Sequence, residues 1–399
     1  MRDSALGKLG NIAELREAAR RRLPSPLFDF LDGGAEDEGT LRRNTESFGR
    51  WDLLPRFLTD VAAVDPATTI LGQRIGWPVI LAPTGTSRFF HPEGERAIAR
   101  AAAAADTIYC LSTMSTVSME DIGALTPAPK WFQVYCFKDR ELTLEFFARA
   151  KAAGFTALCV TVDVPVAANR ERDRRSGMTI PPRLSLRTLG KFAARPGWAV
   201  DYLWNDAPII ANVAHKLDEG SKGNVSSLGA YVNRQFDPSI TWKDIAWMVE
   251  RWDGPLMIKG LLHPGDVKLA ASVGAKAAII SNHGGRQLDG ASAAIDALPR
   301  IADAVGDDVE LILDGGIRRG AHVLKALALG AKACMIGRAY LYGLAAAGEA
   351  GVARALTLLR AEVVRDMALM GACTAGEVTR DQVVERERET TSQTLYRGG

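Results

Sequence analysis

The sequence predicts an α/β protein folded as a single (β/α)8 TIM barrel over residues 1–399, with an N-terminal helical segment and a long insertion after the fourth strand. Three observations carry this. Eight short apolar, β-branched runs recur with helical stretches between them, the pattern of βα units and a parallel sheet. Each run is followed at once by polar or glycine residues. A chain of 399 residues, 47% hydrophobic and 24% charged, suits one large core of barrel size.

The elements follow in order. Glu14–Arg22 reads as a charged helical lead-in, broken by Leu23-Pro24-Ser25-Pro26 ahead of Phe28–Leu31, and this front segment is expected to pack across the barrel. The strands are expected at Val79–Ala82, Ile108–Leu111, Trp131–Val134, Ala157–Val162, Leu256–Ile258, Ala277–Ile280, Glu310–Leu313 and Ala333–Ile336. They end respectively in Pro83-Thr84-Gly85, Ser112-Thr113, Tyr135, Asp163, Lys259-Gly260, Ser281-Asn282-His283, Asp314-Gly315-Gly316 and Gly337-Arg338. In a barrel these ends meet on one face and build one pocket.

The interval from Arg174 to about Asp237 is too long for an ordinary crossover and reads as an inserted lid or arm. From Arg174 to Trp198 it holds Arg174, Arg175, Arg183, Arg187, Lys191 and Arg195 without an acid, and Tyr202 and Trp204 follow. Basic residues with aromatic anchors suit an anionic lipid surface, and a solvated lid is the other reading. Residues 385–399 read as a polar tail.

A net charge of +2 provides no global attraction for nucleic acid, so a DNA- or RNA-binding role is not expected. The five cysteines are scattered without a CxxC pair, which suits buried free thiols in a reducing compartment, and no metal is expected. The start is charged and lacks the apolar core of a signal peptide, and no stretch is long enough to span a bilayer. The expected location is the cytoplasm, or peripherally the inner face of the cytoplasmic membrane.

The run Ser281 to Gln287 places a base, a fixed cation and two glycines at a strand end. Imidazole titrates near neutral pH, and an arginine can hold a carboxylate through two parallel hydrogen bonds. At the last two strands, Asp314-Gly315-Gly316-Ile317-Arg318-Arg319-Gly320 and Gly337-Arg338 each lead into a helix. Helix starts, glycine-freed amides and arginines attract phosphate, and in barrels this pair of loops is the usual phosphate site. No GxGxxG fingerprint of a Rossmann domain is present. His91, His215, His263 and His322 read as surface or capping residues.

Taken together, FDFLDGGAEDE, WFQVY, TVDVP, RERD, SNHGGRQLDG, LDGGIRRG and IGRAYLYG resemble the FMN-dependent L-2-hydroxy acid dehydrogenases and oxidases, whose members act on L-lactate, (S)-mandelate or glycolate. The stretch Phe236 to Leu262 looks most like the lactate dehydrogenase branch, and the insertion with Trp198 looks like membrane-associated members. The resemblance implies FMN, a small 2-hydroxy acid, and a quinone or other carrier as electron acceptor, with oxygen as the alternative and a homotetramer as the assembly. It implies His283 as catalytic base paired with Asp163, and Arg170, Arg286 and Tyr135 as holders of the substrate carboxylate. Lys259 would serve the flavin edge that gathers negative charge. Pro83, Thr84, Gly85, Ser112, Gln133, Thr161 and Ser281 would hold the ring, Asp314 the ribityl chain, and Gly315, Gly316, Ile317, Arg318, Gly337 and Arg338 the phosphate end. Phe30 stands where most members have tyrosine, so one hydroxyl to the carboxylate is missing, an interaction worth roughly 1.5–3 kcal/mol. Met114 and Ala167 leave room for a larger, aromatic side chain, and Gly85 resembles the mandelate-type dehydrogenases.

Overall fold

The computed structural model describes residues 3–178, 185–216 and 225–386. Eight parallel strands close into a barrel: β1 Val79–Leu81, β2 Tyr109–Ser112, β3 Lys130–Tyr135, β4 Ala157–Thr161, β5 Leu256–Leu261, β6 Ala277–Ile280, β7 Glu310–Asp314 and β8 Ala333–Ile336. Closure is made by β8 on β1, with Met335 opposite Ile80. Helices cover the outside, so the strands are buried on both faces and read as continuous apolar runs. All eight stand where the sequence placed them.

Two end as expected, at Ile280 and Ile336, two end one residue earlier, at Leu81 and Thr161, and the other four run further than expected. Ser112, Tyr135, Lys259 and Asp314 lie inside the ladder and not after it. Apolar character stops where side chains begin to face the open mouth, but backbone pairing runs further. In β5 the register breaks between Lys259 and Leu261, a bulge that takes up Gly260 at φ 107°.

Inside the barrel, Ile80, Cys110, Trp131, Cys159, Met257, Ile279, Ile312 and Met335 form a dry inner cluster. The hairpin of Thr68–Ile70 and Gln73–Ile75 plugs the N-terminal mouth and adds Ile70 and Ile75 to that cluster. Leu71 N–H donates to Glu310 at 2.7 Å and Trp131 Nε1 to Gln73 Oε1 at 3.2 Å, both partners sitting at strand starts. With this end closed, access is left to the opposite face.

The N-terminal helices Ile12–Arg22 and Ser25–Asp32 break at Leu23-Pro24 as expected. Their second helix ends on a buried carboxylate: Asp32 takes a two-pronged bond from Arg16 at 2.7 and 2.8 Å, a third from Arg172 at 3.2 Å and the Tyr342 hydroxyl at 2.8 Å. Burial raises its pKa, but the bonds from Arg16 and Tyr342 more than offset this and hold it at about 2. The front segment is thereby fastened to the stretch after β4 and to the last helix.

The insertion is largely helical, with Glu171–Ser176, Leu186–Ala193, Pro196–Leu203 and Val225–Gln235. Arg183, the Arg187 side chain and the polar tail from 387 onward lie outside the described residues. Of the two aromatic residues expected as anchors, Tyr202 packs inward: it stacks at 5.0 Å on Trp198, whose ring is buried and whose Nε1 donates to the Phe89 carbonyl at 2.9 Å. Trp198 anchors the insertion to the barrel. Leu203 and Trp204, at 80% and 83% exposure, point away. Among the described residues no helix is long and apolar enough to cross a membrane.

Candidate active site

The C-terminal ends of the strands surround a cavity of ≈ 250 Å³. His283, in the loop after β6, reaches it from a left-handed backbone at φ 58°, and Gly284 and Gly285 follow at 65° and 73°. Such a conformation is costly for a residue with a Cβ and persists only where the surroundings hold it. Here His283 N–H donates to Ser281 Oγ at 3.1 Å, and the imidazole Nδ1 lies 2.9 Å from Asp163 Oδ1. That contact leaves Nε2 as the ring nitrogen free of the carboxylate. Burial alone would raise the Asp163 carboxyl, yet His283 and Lys259 outweigh it and hold the group below its ordinary range. Gly260 allows the approach, since a Cβ there would stand 2.6 Å from that of Asp163.

Lys259 projects from β5 to within 2.7 Å of Asp314 Oδ2 and donates to Ser281 Oγ at 3.0 Å, and Ser281 in turn donates to Asp314 at 2.8 Å. Burial works against its charge, but Asp314 and Asp163 outweigh it, so its pKa is raised. A permanent cation therefore sits in the cavity wall.

Three guanidiniums crowd the other side. Arg286 donates through Nη1 to the carbonyls of Phe30 and Gly33 at 2.8 and 2.9 Å and lies 5.3 Å from the centroid of the Phe30 ring. Its pKa is lowered, first by burial and then by Arg170 and Arg338. Among the described residues Arg170 has only Asp173 at 3.6 Å, and neither Arg286 nor Arg338 forms a salt bridge. Buried positive charge left without a carboxylate marks a place for an anion. Tyr135 faces the same cavity, and burial pushes its hydroxyl up to about 12, so it stays a proton donor in hydrogen bonds.

At the phosphate end, Gly315, Gly316, Ile317, Arg318, Gly337 and Arg338 all line the cavity, as do Pro83, Thr84 and Gly85 opposite. Gly316 is obligatory, with φ 79° and an imaginary Cβ 1.7 Å from the Asn44 carbonyl. Arg338 is more engaged than expected: its Nε, Nη1 and Nη2 donate to the carbonyls of Leu31, Gly284 and Gly33. Arg319 turns outward to Glu362 at 2.8 Å.

Gln133, Thr161, Ser281 and Asp163 stand just behind the cavity wall. Of these, Gln133 Nε2, Thr161 Oγ1 and Asp163 Oδ2 are buried polar atoms with no partner. Native interiors rarely leave such groups unsatisfied, and beside an open cavity they are groups that a polar ligand can complete. A flat ring rich in nitrogen and oxygen with a phosphate tail fits both the orphaned atoms and the basic end, which is the chemistry of FMN.

Sequence reasoning missed several wall residues. Phe236 and Asn233 reach the cavity from the end of the insertion, Phe236 packing edge-on against Tyr135 at 5.1 Å. A bridge of Phe137 to Phe236 holds them there. Phe90 follows β1 in the same way. The signal was an apolar residue inside a segment read only as lid. Among the other histidines, His263 caps Pro264–Ser272 by accepting from Gly265 N–H at 3.1 Å, and His91 accepts from Glu93 N–H. His322 is half-buried: it stacks on Phe48 at 4.2 Å, its Nδ1 accepts from Arg318 N–H at 3.4 Å, and burial lowers its pKa to about 4.

The sequence matches the profile of the family described as FMN-dependent dehydrogenase over residues 19–385. It is 44% identical over 379 residues to an L-lactate dehydrogenase of Caulobacter vibrioides (strain NA1000 / CB15N), covering 95% of this chain and 98% of that one. To an L-lactate oxidase of Nostoc sp. it is 43% identical over 365 residues, 90% and 94% of the two chains. The crystal structure of the monotopic membrane protein (S)-mandelate dehydrogenase superposes with a TM-score of 0.91 at 35% identity, covering 95% of this chain and 100% of that one. A profile match across nearly the whole barrel, and relatives this similar over their full length, establish that the chain belongs to the FMN-dependent dehydrogenase family, with FMN as its cofactor.

Proposed function

We propose that the protein oxidises an L-2-hydroxy acid to the 2-oxo acid, taking L-lactate or a larger acid such as (S)-mandelate and passing the electrons to a quinone or another carrier. One observation carries the reading: His283, paired with Asp163, and the Arg286 guanidinium, which forms no salt bridge among the described residues, face a single cavity. Arg286, Arg170 and the Tyr135 hydroxyl hold the substrate carboxylate, which fixes the hydroxyl-bearing carbon near the imidazole. His283 Nε2 takes a proton from the substrate, and Asp163 stabilises the imidazolium so formed. FMN, when bound, would take the two electrons with the other hydrogen, the equivalent of hydride. Lys259 supplies fixed positive charge without any reorganisation during the reaction. Gln133, Thr161 and Ser281 offer the ring hydrogen-bonding partners, and Arg318 with the glycines around it suits the phosphate.

Phe30, Phe90, Met114, Ala167 and Phe236 give the wall an apolar share beside Asn233 and Gln287, which supports a side chain larger than that of glycolate. Anaerobic mixing with glycolate, L-lactate, longer aliphatic acids and (S)-mandelate, following loss of the yellow colour, is expected to show the larger acids reducing the enzyme well and glycolate poorly. Failure of every acid to bleach it would remove the reading. A second reading, oxygen as acceptor, is favoured by the similarity to an L-lactate oxidase. Peroxide released in proportion to turnover, even with a quinone present, would establish that reading instead.

The exposed Leu203 and Trp204, close in sequence to Lys191 and Arg195, support docking of the insertion on an anionic membrane face. Substituting both Leu203→Ser and Trp204→Ser should release the protein from anionic vesicles in sedimentation. Because Trp198 remains as the internal anchor, the barrel should be unaffected. Equal sedimentation of the variant and the parent would overturn the docking.

A further inference from the structure

We propose that Asn44, remote in sequence and absent from the cavity wall, is a positioning residue that holds the catalytic loop in the backbone conformation that aims His283. The inference rests on the reading of His283 as the base.

The short helix Gly39–Glu46 is mounted on the loop that carries the base. Its first amides, Gly39 N–H and Thr40 N–H, donate to Asp289 at 3.1 and 2.7 Å, six residues beyond His283. Near its other end, Asn44 and Asn282 form a reciprocal amide pair, each Nδ2 donating to the partner's Oδ1 at 2.8 and 2.7 Å. Both side chains are buried. Asn282 is then fully used, because its Oδ1 also accepts from Gly285 N–H at 3.0 Å and its Nδ2 also donates to the Ser292 carbonyl at 2.9 Å.

The consequence falls on the residues between. His283, Gly284 and Gly285 are three successive left-handed residues, and Asn282 closes a turn across them through Gly285. Histidine pays for that conformation, and a held turn is what keeps it. The helix also blocks movement of the turn, since a Cβ on Gly285 would stand 2.6 Å from the Leu41 nitrogen. Without the amide pair, the turn keeps its internal bond and the contacts of Gly284 with Arg338 and of Asn282 with Ser292, but Asn282 loses its side-chain link to the helix, which loosens the placement of the imidazole against Asp163.

Asn44 also faces the second loop of the site. Its carbonyl fills the space a Gly316 side chain would need, and Thr45 Oγ1 lies 3.4 Å from the Gly316 carbonyl. One residue thus touches the loop of the base with its side chain and the loop at the phosphate end with its backbone. Side-chain substitutions remove the first contact and keep the backbone contact to Gly316; because the side chain also lies 3.7 Å from where a Cβ on Gly315 would stand, retention of FMN is measured beside the rate.

The test is a double-mutant cycle on the FMN-loaded enzyme. Asn44→Ala is expected to slow anaerobic flavin reduction at saturating substrate by up to roughly 10²-fold, the cost of misplacing a reacting group by about an ångström. The half-saturating substrate concentration should not move, because Arg286 and Arg170 are untouched, and FMN fluorescence should show the cofactor still bound. In a His283→Ala background, followed as slow bleaching, Asn44→Ala should cost nothing further, since residues acting through one group are not additive. Asn44→Asp, which keeps an acceptor for Asn282 Nδ2, should fall between the parent and Asn44→Ala, and it enters the same cycle should Asn44→Ala not fold. An equal fractional loss with and without His283 would overturn the proposal, as would an unchanged rate in both variants. Normal reduction by His283→Ala alone would instead remove the base assignment on which it rests.

Discussion

Replacing His283 by alanine is expected to lower the rate at which 2-hydroxy acids bleach the bound flavin by about 10⁴-fold, the upper range for loss of a positioned base. FMN should stay bound, because the residues at the phosphate end and the Lys259–Ser281–Asp314 group do not depend on the imidazole. The side chain has one protein partner, Asp163, so its removal opens space at the cavity and leaves a carboxylate that still has Lys259 nearby. The backbone is the complication: alanine is poorly suited to φ 58°, whereas asparagine tolerates it. His283→Asn therefore separates loss of the base from loss of the turn, and both variants should be equally impaired. Asp163 sets the direction of any acid effect. Its pKa is depressed, so it remains ionised above the ordinary carboxylate range and loses its charge only as the pH falls below it. A fall in rate between about pH 7 and pH 5 would thus belong to another group. Stopped-flow absorbance decides the main question, and normal bleaching by either variant would rule out the assigned role.

Much of this site was legible because a parallel barrel buries its strands on both faces. Each strand is then a short apolar run, and the first polar residue after it marks the open mouth, which is how Lys259, Asp163 and Asp314 could be named together. The same signal misplaced the strand ends, because hydrophobicity reports where side chains face and pairing follows the backbone: Tyr135 and Lys259 are both inside the ladder. Long-range partners were not legible. Asn44 and Asn282 lie 238 residues apart, and nothing local distinguishes an amide in a buried pair from one on a helix surface. Asp32 hides its role in the same way, since its importance comes from Arg16, Arg172 and Tyr342 arriving from three separate segments. Trp198 shows a different limit. An indole has an apolar body and one donor, so it serves equally at a membrane interface or in a seam between two protein elements. Here the Phe89 carbonyl decided it. Phe236 was hidden by its position in an insertion, a segment whose register on the barrel no periodicity reveals.

The largest stability effect is expected from Lys259→Met, which keeps an unbranched side chain one atom shorter and removes its charge. In the parent the ammonium is 5% exposed and 2.7 Å from Asp314, and its charge also helps keep Asp163 ionised. Removing one member of a buried pair leaves the other uncompensated, typically at a cost of ~3–5 kcal/mol. Asp314 would retain only the Ser281 hydroxyl, and Asp163 already has one buried oxygen without a partner. The sign of the pH dependence follows from the direction of the shift. A lysine raised above its unfolded value contributes stability that is fully present below about pH 10 and is lost only as the pH rises through the folded value. The parent's stability should therefore carry no contribution from this group that varies between about pH 5 and pH 9. The deficit of Lys259→Met should shrink as the pH falls, because protonation removes the stranded negative charge. Lys259→Met combined with Asp314→Asn should recover most of the loss, since a neutral amide beside Ser281 needs no counter-ion. Guanidinium chloride unfolding of the holoenzymes at two pH values measures all of this. Equal midpoints for Lys259→Met and the parent would mean that the buried ammonium is not what keeps the two carboxylates in place.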